Sequence, residues 1–388
     1  MLRLGIIGCG GIAMMHTGNI LEGKCPEIVV TAVADIRESR REWAKSKYPD
    51  ALVFNSGSEL IAAEPKACDA VLIATPHYLH PTLAMEAFEH GLHVMSEKPA
   101  GVYTLQVREE IEAANRHPEL TFGLMYNQRT NWIYRKAKEM LDSGELGVMK
   151  RMNWIITDWY RAQCYYDAGS WRATWDGEGG GVLLNQCPHQ LDLLQWICGL
   201  PVRVKAFTHE GKWHNIEVED DVTAYLEFEN GATGVFIAST GDAPGVNRME
   251  ILGSKGRLLI ENDQILFERN ETDEREWCFT TDKPFGAPPT EIVPVESDGK
   301  NGQHAEVLNA FAAHILRGEP LVADGREGIR GLTLSNAMHL SGWTGETVTI
   351  PFDEERFLAL LNERRAKSVK KQETDVAMDT AGSFGRSK

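Results

Sequence analysis

The sequence predicts two architectures in succession: an α/β domain built on a doubly wound parallel sheet, then an α+β domain built on a large, mostly antiparallel sheet. Three observations carry this reading. Short apolar runs alternate with helix-length stretches through the first third. Hairpin dipeptides separate strand-like runs in the second half. At 388 residues the chain also exceeds the roughly 250–300 that one core supports, which favours two domains.

Residues Leu2 to Ile7 are a buried-strand pattern that stops at glycines, and Ile28 to Ala34 is a β-branched run that ends at Asp35. A crossover helix fits between them. The pattern repeats with a strand at Ala70 to Ala74, a helix from Pro81 to His90 and a strand at Leu92 to Met95. A helix near Leu105 to Asn115 and a strand at Leu120 to Met125 complete the sheet, so the first domain is set at residues 1–127. The second domain, 128–365, should hold strands at Arg151–Trp159, Val202–Glu210, Val222–Phe228, Thr233–Ser239, Arg248–Leu252, Arg257–Glu261 and Gln264–Glu268. Asn230-Gly231 and Lys255-Gly256 are the hairpin turns. Helices are expected at Pro188–Cys198, Gln303–Leu316 and Gly325–Ser341, with a short strand at Val348–Pro351. The polar stretch 366–388 reads as a disordered tail.

Composition narrows the function. A formal charge of -16 opposes binding to nucleic acid or anionic membranes. Apolar runs fall short of the roughly 20 residues that cross a bilayer, and the N-terminus enters a strand without a signal-peptide pattern. The seven cysteines carry no CxxC pair and no ligand spacing, so they read as reduced thiols with no metal site. A cytoplasmic location is expected.

Gly8-Cys9-Gly10-Gly11-Ile12-Ala13 fits GxGxxA between a strand and a helix, the turn of a Rossmann dinucleotide site. Gly8 allows the tight turn, Gly10 admits the pyrophosphate and Ala13 permits close helix packing. The phosphates would meet Gly11 and Ile12 at a helix N-terminus. Asp35, ending the second strand, should accept the adenosine ribose hydroxyls and repel a 2′-phosphate, which favours NAD over NADP. Arg37 works against that preference, because a guanidinium can cover a phosphate.

Thr75-Pro76-His77-Tyr78-Leu79-His80 and Glu97-Lys98-Pro99 follow two further parallel strands, at the carboxyl ends where open α/β sheets place ligands. With GIIGCGGIA, ATPHYLHPTLAMEAFEHGLHVMSEKP and GGGVLLNQCPHQLDLLQWICG, nearly the whole chain resembles the Gfo/Idh/MocA family. The resemblance implies a nicotinamide-dependent dehydrogenase in which Lys98 works beside the nicotinamide and Glu97 contacts its ribose. His77 and His80 would line the nicotinamide pocket together with Thr75 and Pro76. His189 matches the family's histidine and becomes the general acid/base. Asn185 stands where members usually carry an aspartate, leaving it to bond a substrate hydroxyl or the lysine. Asn127, Trp171 and Arg172 resemble positions facing cofactor or substrate. Asp192 either orients the His189 ring or simply favours a helix start, and His304 reads as a helix-start residue.

Oxidation of a secondary alcohol needs a base for the hydroxyl proton, and burial beside a positive ring would bring Lys98 down from its ordinary pKa near 10.4. The expected activity is therefore oxidation of a secondary hydroxyl of a sugar, glycoside or cyclitol. Two alternatives stay open: glycoside cleavage assisted by NAD that is not consumed, and a non-catalytic NAD-binding sensor. A homodimer or homotetramer through the second sheet is implied by resemblance.

Overall fold

The computed structural model describes residues 1–369 and 371. Its first sheet is parallel, with strands β1 (Leu2–Ile7), β2 (Ile28–Ala34), β3 (Leu52–Phe54), β4 (Ala70–Ile73), β5 (His93–Ser96) and β6 (Phe122–Leu124) in the order β3-β2-β1-β4-β5-β6. The strands are short and nearly all apolar because helices cover both faces. These are α1 (Gly11–Leu21), α2 (Glu38–Lys47), α3 (Gly57–Ile61), α4 (Leu79–Glu89) and α5 (Thr104–Arg116). The chain runs one way from β1 to β3 and the other from β4 to β6. The ends of β1 and β4 therefore border the crevice where such sheets bind ligands.

After α6 (Trp132–Asp142) comes the second sheet. Its strands are β7 (Met149–Ile156), β8 (Arg203–Glu210), β9 (Glu219–Glu227), β10 (Thr233–Ser239), β11 (Asn247–Gly253), β12 (Gly256–Glu261), β13 (Gln264–Asn270), β14 (Thr290–Val293) and β15 (Val348–Thr349). They lie in the order β14-β13-β12-β11-β7-β10-β9-β8-β15. The pairing is antiparallel except between β7 and β10, which run parallel from the pair Arg151 and Thr233. Along β9 residues alternate between the covered and open faces: Val222, Ala224 and Leu226 are buried while Tyr225 is exposed.

Helices α7 (Gln163–Asp167), α8 (Pro188–Cys198), α9 (Glu274–Thr280), α10 (Gln303–Arg317), α11 (Gly328–Thr344) and α12 (Glu354–Arg365) complete the fold. Helix α8 has Pro188 in its first turn, where a missing N–H costs nothing. Helix α11 packs on α8 and β8, so Leu191, Leu194, Leu332 and Leu334 join one core with Val204 and Val222. Helix α10 returns to the first sheet: Val307, Leu308 and Phe311 pack with Leu2, Leu4 and Met95. This return closes the seam between the two sheets and brings His304 to the crevice. Residues 366–369 follow α12 and reach the loop before β9, where the Val369 N–H donates 2.6 Å to Glu217. The rest of the stretch expected to be disordered, residue 370 and residues 372–388, lies outside the described residues. Among the described residues no helix is long and apolar enough to cross a membrane.

Candidate active site

The glycine-rich turn joins β1 to α1. Gly8 has φ +89°, and a Cβ there would stand 2.6 Å from the Ala74 carbonyl oxygen, so both its conformation and its neighbour require glycine. At Gly10 a Cβ would meet nothing within 4 Å. The space over the first turn of α1 is thus open to a phosphate, and the unpaired N–H groups of that turn favour an anion. Asp35 accepts from the Cys9 N–H at 2.8 Å through one oxygen and from the Arg37 N–H at 2.8 Å through the other. Its carboxylate is therefore fixed at the edge of the turn, with lone pairs left for hydroxyl donors. Across the crevice the buried Thr75 hydroxyl has no hydrogen-bond partner among the described residues, a polar orphan that a bound group would satisfy. Cradle, open space, carboxylate and orphan together fit a dinucleotide.

The other two strand ends supply chemistry. Glu97 is buried and bonds His16 Nε2 at 2.6 Å through one oxygen, while the other accepts from the Lys98 N–H at 3.2 Å. Burial alone would raise this carboxyl, but the His16 hydrogen bond and charge outweigh it and hold the group below the usual carboxylate range. His80 spans two loops: Nδ1 lies 2.8 Å from the Pro99 carbonyl and Nε2 2.7 Å from the Thr75 carbonyl. It ties the two motifs together rather than presenting a free ring nitrogen. His77 bonds the Glu178 carbonyl through Nδ1 at 3.0 Å, and the Trp171 ring meets it edge-on at 5.5 Å.

Lys98 reaches from the first sheet to the second domain, where its Nζ donates 2.9 Å to the backbone carbonyl of Asn185. Burial lowers its pKa, and Arg172 and Arg161 add to the effect, while Glu97 and Glu178 oppose it. Asn185 lies in a π-turn, residues Val182–Gln186, which leads directly into α8. Such turns are frequent at functional sites. The turn is held from below by Glu219, whose two oxygens accept from the Gly181 and Leu183 N–H groups, each at 2.9 Å. His189 follows in the first turn of α8. Its Nδ1 is buried without a hydrogen-bond partner among the described residues, and its ring stands 6.3 Å from that of Tyr126. Burial drives its pKa well below the ordinary value, and the Lys98 and His304 charges push the same way, so the imidazole is neutral.

Of three further residues read from sequence, Asp192 and His304 take other places, and Asn127 keeps its buried Oδ1 without a hydrogen-bond partner among the described residues. Asp192, weighed as the orienter of His189, is instead fully engaged by Arg129, with bonds of 2.8 and 2.7 Å, and by Gln195. Asn127 is buried and donates 2.5 Å to Gln303 at the start of α10. His304 is no mere helix opener: it is buried with its ring 5.5 Å from that of His16, and burial pushes its pKa down to about 4. Trp171 and Arg172 do come to the crevice. The Arg172 guanidinium lies 4.8 Å from the Trp171 ring and 4.3 Å from that of Tyr165, whose hydroxyl it also bonds at 2.5 Å. Among the tryptophans, Trp154 and Trp175 are core.

Sequence reasoning missed Tyr165, Arg161 and Glu178. Tyr165 sits on the one-turn α7, too short for a periodic signal, and its hydroxyl also meets Gln186 Nε2 at 3.2 Å and Asn185 Oδ1 at 3.4 Å. The Arg161 guanidinium lies 5.1 Å from the same ring. Glu178 lies inside a glycine-rich loop; its only signal is a charge between Gly177 and Gly179, two residues after Asp176.

The profile of the oxidoreductase family with an NAD-binding Rossmann fold matches residues 2–123, and that of the GFO/IDH/MocA C-terminal domain matches residues 134–259. The chain is 25% identical over 344 residues to the myo-inositol 2-dehydrogenase of Thermotoga maritima, covering 87% of this chain and 95% of that protein. It is 25% identical over 374 residues to the D-glucoside 3-dehydrogenase of Escherichia coli, covering 90% and 97%. Among solved structures, the WlbA dehydrogenase of Bordetella pertussis in complex with NADH and UDP-GlcNAcA superposes with a TM-score of 0.75 at 26% identity, covering 91% of this chain and 99% of that one. With both halves of the family present in order and both sheets arranged accordingly, the chain belongs to the Gfo/Idh/MocA family of oxidoreductases.

Proposed function

We propose that this protein is an NAD-dependent dehydrogenase that oxidises a secondary hydroxyl of a sugar, glycoside or cyclitol, with Lys98 and His189 carrying the proton. The observation behind the reading is the link from Lys98 Nζ to the Asn185 carbonyl, which fixes a basic amine beside a neutral imidazole at the mouth of the dinucleotide crevice. The relatives named inositol and glucoside dehydrogenases support the substrate class.

When bound, the nicotinamide would supply the hydride acceptor. The chain's own residues do the rest. A neutral lysine amine has two N–H donors and one lone pair, and the Asn185 carbonyl takes one donor. The lone pair then points away from that carbonyl and is available to accept a hydroxyl proton. Because burial lowers the Lys98 pKa, more of the amine is in this form near neutrality than for an exposed lysine. The neutral His189 ring offers a second acceptor on α8. Arg172 and Trp171 form a charged and apolar wall suited to a polyol ring, and Asp35 selects NAD by accepting ribose hydroxyls. Assembly through the open face of the nine-stranded sheet, which exposes Phe207, Tyr225 and Ile155, accords with this reading.

The test is NAD reduction screened over inositols, aldoses and glycosides, with His189→Ala and Lys98→Met as controls. Turnover of at least one such substrate that both variants lose is expected. An unchanged rate in His189→Ala would remove the proton assignment.

A further inference from the structure

Asn185 leaves the π-turn without the carboxylate that an aspartate there would bring, yet a carboxylate is present one loop away. Glu178 is 1% exposed. Its Oε1 accepts from the Asn185 side-chain amide, and its Oε2 accepts from the Ala173 N–H at 2.6 Å. The Arg172 guanidinium stands 3.9 Å away. The amide of Asn185 is thereby fixed: its nitrogen faces Glu178, so its Oδ1 faces the crevice side, where Tyr165 lies. The backbone carbonyl of the same residue holds Lys98.

We propose that Glu178 is a positioning residue that supplies, through the Asn185 amide, the buried negative charge that an aspartate at position 185 would carry toward Lys98. The inference rests on the reading of Lys98 as the proton carrier. Two acids act on Lys98, and Glu97, its sequence neighbour, is already committed to His16. Glu97 is the larger of the two, and Glu178 is the acid that opposes Arg161 and Arg172 from the same side as they stand, the second domain. The other titratable groups around Lys98 are His77 and His80 beyond β4, the Cys187 thiol, which burial keeps protonated, His189 on α8 and His304 on α10. Burial holds all four histidines neutral near pH 7, so they add little charge. Glu178 itself faces Arg172, Glu219 and Lys371. Burial, with the Glu219 charge adding to it, holds its carboxyl above the usual carboxylate range, and Arg172, the Ala173 N–H and the Asn185 amide limit that rise by favouring the ionised form.

Reaction of Lys98 with cyanate, followed by peptide mass spectrometry against pH, reads the free-amine fraction without needing turnover. Loss of a nearby negative charge destabilises the ammonium, so Glu178→Gln should move the midpoint down by about one pH unit. The double variant Glu178→Gln/Asn185→Asp moves the charge to position 185 and should return the midpoint to that of the wild type. A Glu178→Gln curve superposing on the wild type, or a double variant that stays shifted, would overturn the proposal. If Glu178→Gln fails to fold by circular dichroism, Glu178→Asp carries the test: withdrawing the carboxylate by one methylene should give a smaller downward shift, and no shift overturns it. Turnover measured in parallel separates the two readings. A cyanate shift with no activity toward any polyol removes the dehydrogenase reading and leaves the Glu178 assignment standing.

Discussion

Lys98 and Asn185 meet across the seam between the two sheets: the lysine Nζ donates 2.9 Å to the asparagine backbone carbonyl although 87 residues separate them. Because the acceptor is main chain, substitutions at 185 keep the link and substitutions at 98 abolish it. Lys98→Met, which keeps the length of the side chain and removes the amine, should lower kcat by about 10²–10⁴-fold. NADH affinity, measured by fluorescence titration, should change little. A large loss of NADH affinity would instead make Lys98 a cofactor-binding group first.

Gly8 and Gly10 lie two residues apart in one turn and should fail differently. Gly8→Ala places a Cβ 2.6 Å from the Ala74 carbonyl at φ +89°, so thermal stability should drop by about 1–3 kcal/mol or more. Gly10→Ala meets empty space in the protein, with φ -78°, and should fold as the wild type does. Its methyl group would occupy the room left for phosphate, so NADH binding should weaken by tenfold or more, about 1.4 kcal/mol. Melting curves and NADH titrations on both variants check the contrast.

Much of this was legible in sequence because local rules and tertiary structure agree. The β-branched run before Asp35 forms where its pattern places it, and helix Pro188–Cys198 runs between those same residues; the expected hairpin forms one residue earlier than read, with Ser254-Lys255 as its turn and Gly256 already paired with Gly253 in β12. The site was legible where residues follow strands, at Thr75 to His80 and Glu97 to Pro99. It was not legible where contacts are long-range. The return of α10 to the first sheet depends on Phe311 meeting Leu4 and Met95, and nothing local in GQHAEVLNAF distinguishes that from packing on the second sheet. Likewise Arg129 and Asp192 are 63 residues apart, and an acid near the start of α8, three residues beyond His189, looked like a dipole partner or a histidine orienter. Glu178 escaped because an acid among glycines has no periodicity, and nothing local separates it from Asp176 two residues earlier.

Asp35 sets the expected choice between the two nicotinamide cofactors. Replacing it with serine removes the charge that repels a 2′-phosphate, and Arg37 and Arg40 remain nearby in sequence to attract one. Asp35→Ser should shift the ratio of NADPH to NADH affinity toward NADPH by about tenfold or more. Since the carboxylate also holds the Cys9 N–H, NADH binding should weaken in the same variant. Paired titrations with the two cofactors measure both effects; an unaltered ratio would take the selectivity away from Asp35.

The Arg129–Asp192 pair should be the most costly charge interaction to break. Arg129 bonds both Asp192 oxygens and Glu327, and the two side chains of the pair are 3% and 1% exposed. Removing one partner leaves the other buried and uncompensated, so Arg129→Met should destabilise the fold by about 3–5 kcal/mol in urea unfolding. Asp192→Asn keeps shape and leaves the guanidinium with Glu327, so its cost should be smaller. Equal costs would mean that Glu327 contributes nothing.

His304 gives a pH dependence whose sign follows from its burial. Its folded pKa is about 4, below the ordinary 6.5, so in the folded state it binds a proton less readily than in the unfolded chain. Between pH 6.5 and 4 the unfolded state therefore holds more protons at this site, and stability falls as pH falls, by up to about 1.4 kcal/mol per unit. Above pH 6.5 both states are neutral and the contribution is flat. His304→Gln cannot titrate. Its melting temperature should fall less than that of the wild type on going from pH 6.5 to 4.5, while the difference between the two proteins should be constant from pH 7 to 8. Because burial also lowers His77, His80 and His189, the variant should retain part of the slope, and only the difference between the two curves belongs to His304. Parallel curves across the whole range would mean that this ring takes up no additional proton on unfolding.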